Sequence, residues 1–445
     1  MKKILFLILA SAILTTSCNK VLDVEPSASI SSDIALKDST GVEGAMLGAY
    51  SGLQAVGLYG RNAAIIADLA ADNLVWTGTT QDYGQIMNKP IPAENAIADG
   101  MWTAAYDVIN RVNNILYKLP DIPYGSVTGK NQMQGEALFI RALMQHYLAG
   151  FFGGVPLRIQ PTLDLSNLEL EKSSQTDVYA SAISDLETAI DLLSHTATVG
   201  RANSSSAKAL LARVYLSQFH ATNDAAYATK AMQMSSDLIA FLPGLATTYA
   251  ELFDPAANST ESILEITYDL QNFNRLAQYY YTRDLNGRYE IAPSAGLIAA
   301  FDTADVRLDV GIRFDEKNNP YGAKYNDVAG GVDRVYVLRL AEMYLIHAEA
   351  LAYTNGDVAA IQDDINVIRH RAGLPDTEAS DIASLKLAIE NERRFEFAFE
   401  GHRWHDLVRT GRAAEVLGID QKYTLFPIPL SEMQTNKKMQ QNPGY

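Results

Sequence analysis

The chain has 445 residues, of which 48% are hydrophobic and 20% are charged, a composition typical of a globular protein and not of a disordered one. Its formal net charge of −16 at pH 7 opposes binding to nucleic acids and to anionic lipid surfaces, so we expect neither as a partner. Because the sequence contains a single cysteine, it cannot form an intrachain disulfide.

The N-terminus has the pattern of an export signal. Two lysines precede an apolar run at residues 4–14 that is too short to span a bilayer, and small residues then lead to Cys18. This pattern predicts that residues 1–17 are a signal peptide and that Cys18 is lipidated, as in bacterial lipoproteins. Residues 18–32 then form a tether before a folded body that begins near residue 33. The alternative is a plain signal peptide with an unmodified thiol.

Helical patterning dominates the body of the chain. In the segment DVYASAISDLETAIDLLSH, for which Thr176 is the predicted N-cap, hydrophobic residues recur every three or four positions. That spacing places Tyr179, Ile183 and Leu186 on one helix face, which needs a packing partner. Comparable segments occur at residues 40–56, 100–118, 133–150, 204–220, 224–241, 337–354, 358–371, 382–400 and 402–410. The sequence therefore predicts a mainly α fold.

Two of these segments share a motif. LLARVYLSQF, which begins at Leu210, and RLAEMYLIHAEALA, which begins at Arg339, both contain Leu-Ala-x-x-Tyr and precede a second helix. A small Ala at this position allows two antiparallel helices to approach closely, as in helix-pair repeats of about 34 residues. We therefore expect tetratricopeptide-like hairpins. Because the two motifs lie far apart, the hairpins belong to a larger body and not to a tandem array.

Two polar segments without helical periodicity are the predicted ligand-binding loops. The first covers residues 76–100, and the second covers residues 270–335 and follows a predicted strand at residues 261–269. A sugar ring has apolar C–H faces with hydroxyls at its edge, so a glycan site combines flat aromatic rings with hydrogen-bonding groups. The candidate glycan-binding residues are Trp76, Gln81, Asp82, Tyr83, Tyr280, Tyr281, Arg283 and Tyr289.

Aromatic residues in and near these loops can also pack in the core. The run Tyr279–Tyr281 is expected to point at least one ring inward, and Trp102 lies on a helical stripe typical of a packing residue. For Trp76 and Tyr83 both interpretations, ligand binding and packing, remain open.

The stretch ENERRFEFAFEGHRWHDLVRTG, residues 390–411, suggests either a metal site or a structural framework. His402 and His405 are three positions apart instead of four, and the surrounding arginines oppose a bound cation. We therefore expect its phenylalanines and Trp404 to pack inward. Its acids should pair with the arginines in partly buried ion pairs that fix two helices around Gly401. The sequence predicts no metal site and no cofactor.

Signatures of catalysis are missing from the sequence as well. It contains neither a Gly-x-Ser-x-Gly elbow nor a Gly-rich phosphate loop. A carboxylate pair for glycoside hydrolysis can come from any two elements, and Asp68 and Asp72, four apart on a predicted helix, are the nearest candidates. Two acids on a helix are more often cap or surface residues, so we expect a protein that is not an enzyme.

Several segments follow one another in an order that spans the chain. They are the signal that ends at Cys18, WTAAYDVINRVNNIL, GEALFIRALMQHYLAGFFGGVPL, AKALLARVYL, VLRLAEMYLIHAEALA, INVIRHRAGLP, ERRFEFAFEGHRWHDLVRTGR and LFPIPLSEMQTNKKMQQNPGY. Together they resemble the SusD/RagB family of outer-membrane nutrient-binding lipoproteins of Bacteroidetes.

The resemblance implies a single large α-helical domain with embedded tetratricopeptide-like hairpins, irregular ligand-binding loops and little β structure. Residues 33–255 would form its N-terminal region and residues 256–445 its C-terminal region. It also implies a surface-exposed lipoprotein, anchored in the outer membrane by its lipid. Such a protein captures an oligosaccharide or polysaccharide and delivers it to a SusC-like TonB-dependent transporter. The alternatives are a surface lipoprotein that binds protein or peptide through its hairpins, a binder of another nutrient, and a glycoside hydrolase.

Overall fold

The computed structural model describes residues 35–163, 168–196, 198–255, 257 and 259–445. The predicted signal peptide, Cys18 and the tether lie outside the described residues. The α-helices are α1 (Ser39–Leu53), α2 (Asn62–Leu69), α3 (Gln81–Asn88), α4 (Ala96–Lys118), α5 (Val127–Phe152), α6 (Gln175–Leu192), α7 (Ser204–Thr222), α8 (Ala225–Phe241), α9 (Leu276–Tyr280), α10 (Ala295–Ala300), α11 (Val306–Gly311), α12 (Leu340–Tyr353), α13 (Val358–Arg371), α14 (Ile382–Glu396), α15 (Arg403–Arg409), α16 (Ala413–Leu417) and α17 (Leu430–Thr435). The predicted mainly α fold is confirmed. Within the described residues, no helix is both long enough and apolar enough to cross a membrane.

Helix α6 shows how the sequence sets a helix and its packing. It begins two residues earlier than expected, because Ser174 and not Thr176 is its N-cap: the Ser174 hydroxyl accepts a hydrogen bond from the Asp177 N–H at 3.1 Å. The predicted stripe that includes Tyr179 and Leu186 is buried. Helix α6 packs against both α5 and α7.

The hairpin helices pack side by side through the molecule. Helix α5 contacts α4 and α6, α7 contacts α6 and α8, and α8 contacts α12, which packs against α13 and α14. The two Leu-Ala-x-x-Tyr motifs therefore lie close together. Arg213 of the first donates to Glu342 of the second through two hydrogen bonds of 2.5 and 2.7 Å, and Ala212 and Ala341 are fully buried. The predicted hairpins are confirmed, and their motifs bind each other.

Short strands in the described ranges form antiparallel pairs. They are β1 (Leu74–Trp76) with β3 (Ile291–Pro293), β2 (Ser262–Ile266) with β6 (Val335–Arg339), and β4 (Ile312–Phe314) with β5 (Pro320–Gly322). The strand predicted at residues 261–269 is confirmed as β2. The helix predicted at residues 337–354 is wrong at its start: the Val-Tyr-Val-Leu run that opens β6 is buried and pairs with β2, so α12 begins only at Leu340.

The sequence does not predict helix α3, and it predicts α2 only as a helix at Asp68, without its bounds or a helical period. Every residue of α2 is buried, so this helix has no polar face to produce a helical period. Helix α3 is short and polar and contains Gly84, which weakens the helical signal.

The stretch at residues 390–411 is a framework, as predicted. The fully buried carboxylate of Glu396 lies 2.7 Å from Arg339 and 3.2 Å from Arg307. It also pairs with Arg371. These three arginines lie outside the stretch, so the expectation that Glu396 pairs with the arginines of the stretch is wrong, and the spacing within the stretch could not identify its partners.

The bend between α14 and α15 lies at Gly401. Its φ is +82°, and a Cβ at this position would lie 2.1 Å from the Ala63 carbonyl oxygen. Around the bend, Phe397, Phe399 and Trp404 are buried. The expected inward packing of these aromatic residues is confirmed.

Candidate ligand-binding surface

The two predicted loops meet in the structure. Strands β1 and β3 pair so that Trp76 lies opposite Ile291. Next to this pair, the Thr77 hydroxyl donates to the Tyr289 carbonyl at 2.8 Å. We use the name paired-loop surface for the exposed and half-buried side chains of residues 76–81 and 273–289. Segments that lie far apart in the chain thus form one surface.

Glu290 fixes the first loop against the second. Its buried carboxylate accepts hydrogen bonds from the backbone N–H groups of Thr79 and Thr80 at 3.1 and 3.0 Å. Burial by itself would raise the pKa of Glu290, but the hydrogen bonds from Thr80 and Thr79 outweigh this effect and lower it. A Cβ at Gly78 would lie 2.3 Å from this carboxylate, so only glycine fits the close approach.

In the first loop, Trp76 and Gln81 lie at the surface. Gln81 is exposed, whereas Trp76 is half-buried with its ring against Gly84, where a Cβ would come within 2.7 Å. Asp82 has a structural partner: its carboxylate accepts a hydrogen bond from the Ala96 N–H at 3.1 Å, at the start of α4.

Tyr83 and Tyr280 lie in the core. Tyr83 is fully buried, with its ring centroid 6.1 Å from that of Tyr279, and Tyr280 is 1% exposed, with its ring centroid 5.5 Å from that of Phe399. The expectation that Tyr83 lies in an irregular loop is wrong, because residues 81–88 form α3 and this helix buries the ring. Neither tyrosine offers a face to a ligand at the surface in this structure. The expectation that the tyrosine run points at least one ring inward is confirmed.

The other candidates of the second loop are accessible. Tyr281 is half-buried, with its ring centroid 4.7 Å from that of Tyr321, and Arg283 is exposed. Tyr289 has a φ of +52°, a conformation that residues other than glycine seldom adopt, and its hydroxyl donates to the Pro320 carbonyl at 3.0 Å. The loop therefore has a fixed shape at Tyr289.

Arginines other than the candidate Arg283 contribute to the same region. The Cζ atoms of Arg61 and Arg288 lie 4.4 and 5.0 Å from the ring centroid of Tyr279. The Cζ atom of Arg275 lies 4.6 Å from the ring of Phe273, which is 42% exposed. Arg61 precedes α2 and lies outside both loops in sequence, so no local pattern could have identified it.

A polar cavity of about 170 Å³ lies among the hairpin helices, away from these loops. It is lined in part by His146, Tyr179, Ser217, His402, His405 and Arg409. Burial lowers the pKa of His146 and His402 and lowers that of His405 to about 4, so all three imidazoles are neutral at pH 7. Its size suits a few ordered waters better than an oligosaccharide. Within the described ranges, no cluster of His, Cys, Asp and Glu could hold a metal ion.

Asp68 and Asp72 are framework residues. Asp68 is buried in α2 and accepts hydrogen bonds from the Phe399 N–H at 2.5 Å and the Asn73 amide at 3.3 Å. Burial raises the pKa of Asp68 to about 7. Asp72 lies beyond the end of α2, which corrects the prediction that one helix carries both acids, and it pairs with Arg403 at 2.7 Å.

A shallow groove of about 370 Å³ lies between α4 and α17. Its lining includes Trp102, Tyr106, Arg158 and Glu432. Trp102 is only 3% exposed and packs edge-on against Phe152 with centroids 5.0 Å apart, which confirms it as a packing residue. Although Trp102 lines the groove, its ring therefore offers almost no exposed surface to a ligand there.

The sequence matches two family models and resembles known proteins along nearly its whole length. Residues 20–216 match the family model described as starch-binding and associating with the outer membrane, and residues 317–422 match the model of the SusD family. The chain is 27% identical to SusD-like protein P38 of Formosa agariphila over an alignment that covers 99% of this chain and 98% of that protein.

Solved structures agree with these matches. A SusD superfamily protein from Bacteroides vulgatus is 24% identical and superposes with a TM-score of 0.81, covering 92% of this chain and 100% of that one. A laminarin-binding SusD-like protein is 25% identical and superposes with a TM-score of 0.78 over the same shares of the two chains. From the matched sequence regions, the relative aligned along nearly its whole length and the shared fold, we conclude that the chain belongs to the SusD/RagB family.

Proposed function

We propose that this protein binds oligosaccharides through the paired-loop surface and delivers them to a SusC-like TonB-dependent transporter. The observation that carries the proposal is the pairing of β1 with β3, which joins the two loops. Trp76, Phe273 and Tyr281 then present partly exposed rings beside amide, hydroxyl and guanidinium groups. This combination suits a sugar, because the rings can cover apolar C–H faces while the polar groups bind hydroxyls.

The relatives support a glycan as the ligand. One solved relative is named as laminarin-binding, and one matched family model is described as starch-binding. The same description names association with the outer membrane, which agrees with a protein that acts on nutrients outside the cell.

The proposed attachment is the lipid on Cys18. The net charge of −16 opposes electrostatic adsorption to anionic headgroups, so acyl chains are the remaining means of attachment. Delivery would follow from differential affinity. A glycan that contacts both this protein and the transporter binds the closed assembly more tightly than the open one, and it therefore favours closure without any reaction on this chain.

Isothermal calorimetry against plant, host and microbial polysaccharides tests the proposal. Phe273→Ala should weaken the best ligand about tenfold, because the loss of roughly 60 Å² of apolar contact corresponds to about 1.5 kcal/mol. Phe241→Ala is the matched control, because Phe241 lies at the end of α8 and is 67% exposed. It should leave the affinity unchanged. Binding of peptides but of no glycan would favour a hairpin scaffold, and release of reducing ends would favour a hydrolase.

A further inference from the structure

We propose, resting on the glycan binding proposed above, that the paired-loop surface and the neighbouring Arg61 select acidic oligosaccharides, whose anionic group binds between Arg61 and Arg288. The chemistry that it recognises is a planar or tetrahedral anionic oxygen group on a sugar. A uronate carboxylate and a sulfate ester are the two sources of such a group.

The arginines of this region differ from those of the hairpin helices. Among the described residues, no carboxylate lies within ion-pair distance of Arg61, Arg275, Arg283 or Arg313. Each arginine within helices α4 to α7 and α12 to α15 pairs with Asp or Glu. In a chain with 52 acidic and 36 basic residues, partners are plentiful. Arginines that lack a carboxylate partner in such a chain are candidates for binding an external anion.

Arg61 from this group and Arg288, which lies 3.7 Å from the Glu290 carboxylate, are both close to one ring. The Cζ atoms of Arg61 and Arg288 lie 4.4 and 5.0 Å from the centroid of Tyr279, so they are at most 9.4 Å apart, the sum of the two distances. The Arg275 side chain reaches the same place, since its Nη1 donates to the Gln278 side chain at 3.1 Å. The Arg288 N–H donates to the Gln278 carbonyl at 2.7 Å.

The nearest carboxylates neutralise this cluster only in part. Glu290 forms an ion pair with Arg288 at 3.7 Å, a separation longer than a hydrogen bond, and its carboxylate also accepts hydrogen bonds from Thr79 and Thr80. Asp284 pairs with Lys317 at 2.5 Å. The Arg288 side chain remains 49% exposed and open to a ligand.

In the proposed site, an anionic group binds both guanidinium groups at once. Two cations no more than 9.4 Å apart still repel each other at physiological ionic strength, where the Debye length is roughly 8 Å, and a bridging anion offsets that repulsion. Because a charge-assisted N–H···O bond is about 2.8 Å long, a carboxylate or sulfate held from both sides needs roughly 8 Å between the two guanidinium carbons. That requirement lies within the limit of 9.4 Å set by Tyr279. A neutral sugar hydroxyl gives the hydrogen bonds but not the neutralisation.

Calorimetry on matched pairs of ligands tests this selectivity. One pair is an oligogalacturonate and its methyl ester, and the other is a sulfated oligosaccharide and its desulfated form. The variants are Arg288→Gln and the control Arg111→Gln, whose side chain is similarly exposed at 45% and pairs with Asp107 on α4. We expect the wild-type protein to bind at least one charged form about tenfold or more tightly than its neutral form. The pair in which this occurs identifies uronate or sulfate as the source of the charge.

The variants and the salt dependence locate the effect. Arg288→Gln should remove most of the preference, whereas Arg111→Gln should keep it. Raising NaCl from 50 to 500 mM should weaken binding of the charged form alone. If neutral forms bind as tightly as charged ones, or if Arg288→Gln weakens both forms equally, the selectivity is overturned while glycan binding stands. If no glycan of any kind binds, both proposals are overturned.

Discussion

Glu396→Gln tests whether the buried ion pairs of the framework hold the helices together. Glu396 is fully buried, and the side chains of Arg307, Arg339 and Arg371 around it are at most 4% exposed. Burial alone would raise the pKa of Glu396, but Arg371, Arg339 and Arg307 outweigh it and hold the pKa below its usual value. The carboxylate therefore carries its charge in the folded protein at neutral pH.

The expected loss of unfolding free energy follows from the buried charges that the substitution leaves without their partner. Glutamine keeps the size of the side chain and removes the charge, so three buried guanidinium groups lose a shared partner. Breaking a buried ion pair on one side costs about 3–5 kcal/mol. Urea unfolding followed by circular dichroism measures this cost as a lower transition midpoint at unchanged slope.

Glu415→Gln is the matched control for this experiment. The same substitution then affects a pair with Arg412 in which the Glu415 side chain is 73% exposed. An exposed pair contributes about 0–1 kcal/mol, so this variant should unfold close to the wild-type midpoint. Equal effects of the two substitutions would refute the assignment of the framework role to the buried network.

Three further predictions concern other parts of the chain. In thermal unfolding, Gly401→Ala should lower the free energy of unfolding by about 2 kcal/mol more than Gly418→Ala. Both glycines have a positive φ, but only at Gly401 would the added Cβ clash with backbone, at the Ala63 carbonyl. Equal losses would show that this clash does not matter. Asp68 is protonated more readily when folded than when unfolded, since burial raises its pKa from 3.8 to about 7, so its contribution is full below pH 4 and falls by up to about 4 kcal/mol as pH rises through 7. Asp68→Asn cannot titrate, so its stability relative to wild type should improve between pH 4.5 and 8 in urea unfolding, and a difference independent of pH would oppose this. Cys18→Ser should move the protein out of the outer-membrane fraction in cell fractionation, and its retention there would count against the lipid anchor.

The sequence predicted the long, amphipathic parts of the fold. Helices such as α6 and α13 alternate polar and apolar faces, and that period is visible in one sequence. Prediction from the sequence failed where burial on all sides hides the helical period, as in α2. It also failed where a strand of β-branched and aromatic residues directly precedes a helix, as at residues 335–339. The Arg213–Glu342 pair also required the structure, because nothing local shows that the two motifs meet.

The sequence located the two loops of the candidate surface, but it did not show which of their side chains are exposed. Composition identified the two loops, but only the pairing of β1 with β3 shows that they share one surface. A polar segment with one tyrosine gave no sign that α3 would bury Tyr83. The cluster around Tyr279 includes Arg61, which comes from a turn far away in the chain, so its position depends on the tertiary fold alone.

A crystal structure of the protein with its tightest-binding oligosaccharide shows whether the paired-loop surface is the glycan-binding site. We expect sugar rings against Trp76, Phe273 or Tyr281, with polar groups within hydrogen-bond distance of the neighbouring side chains of the paired-loop surface. Sugar density in the cavity beside His405 or in the groove beside Trp102, with the paired-loop surface empty, would contradict this expectation.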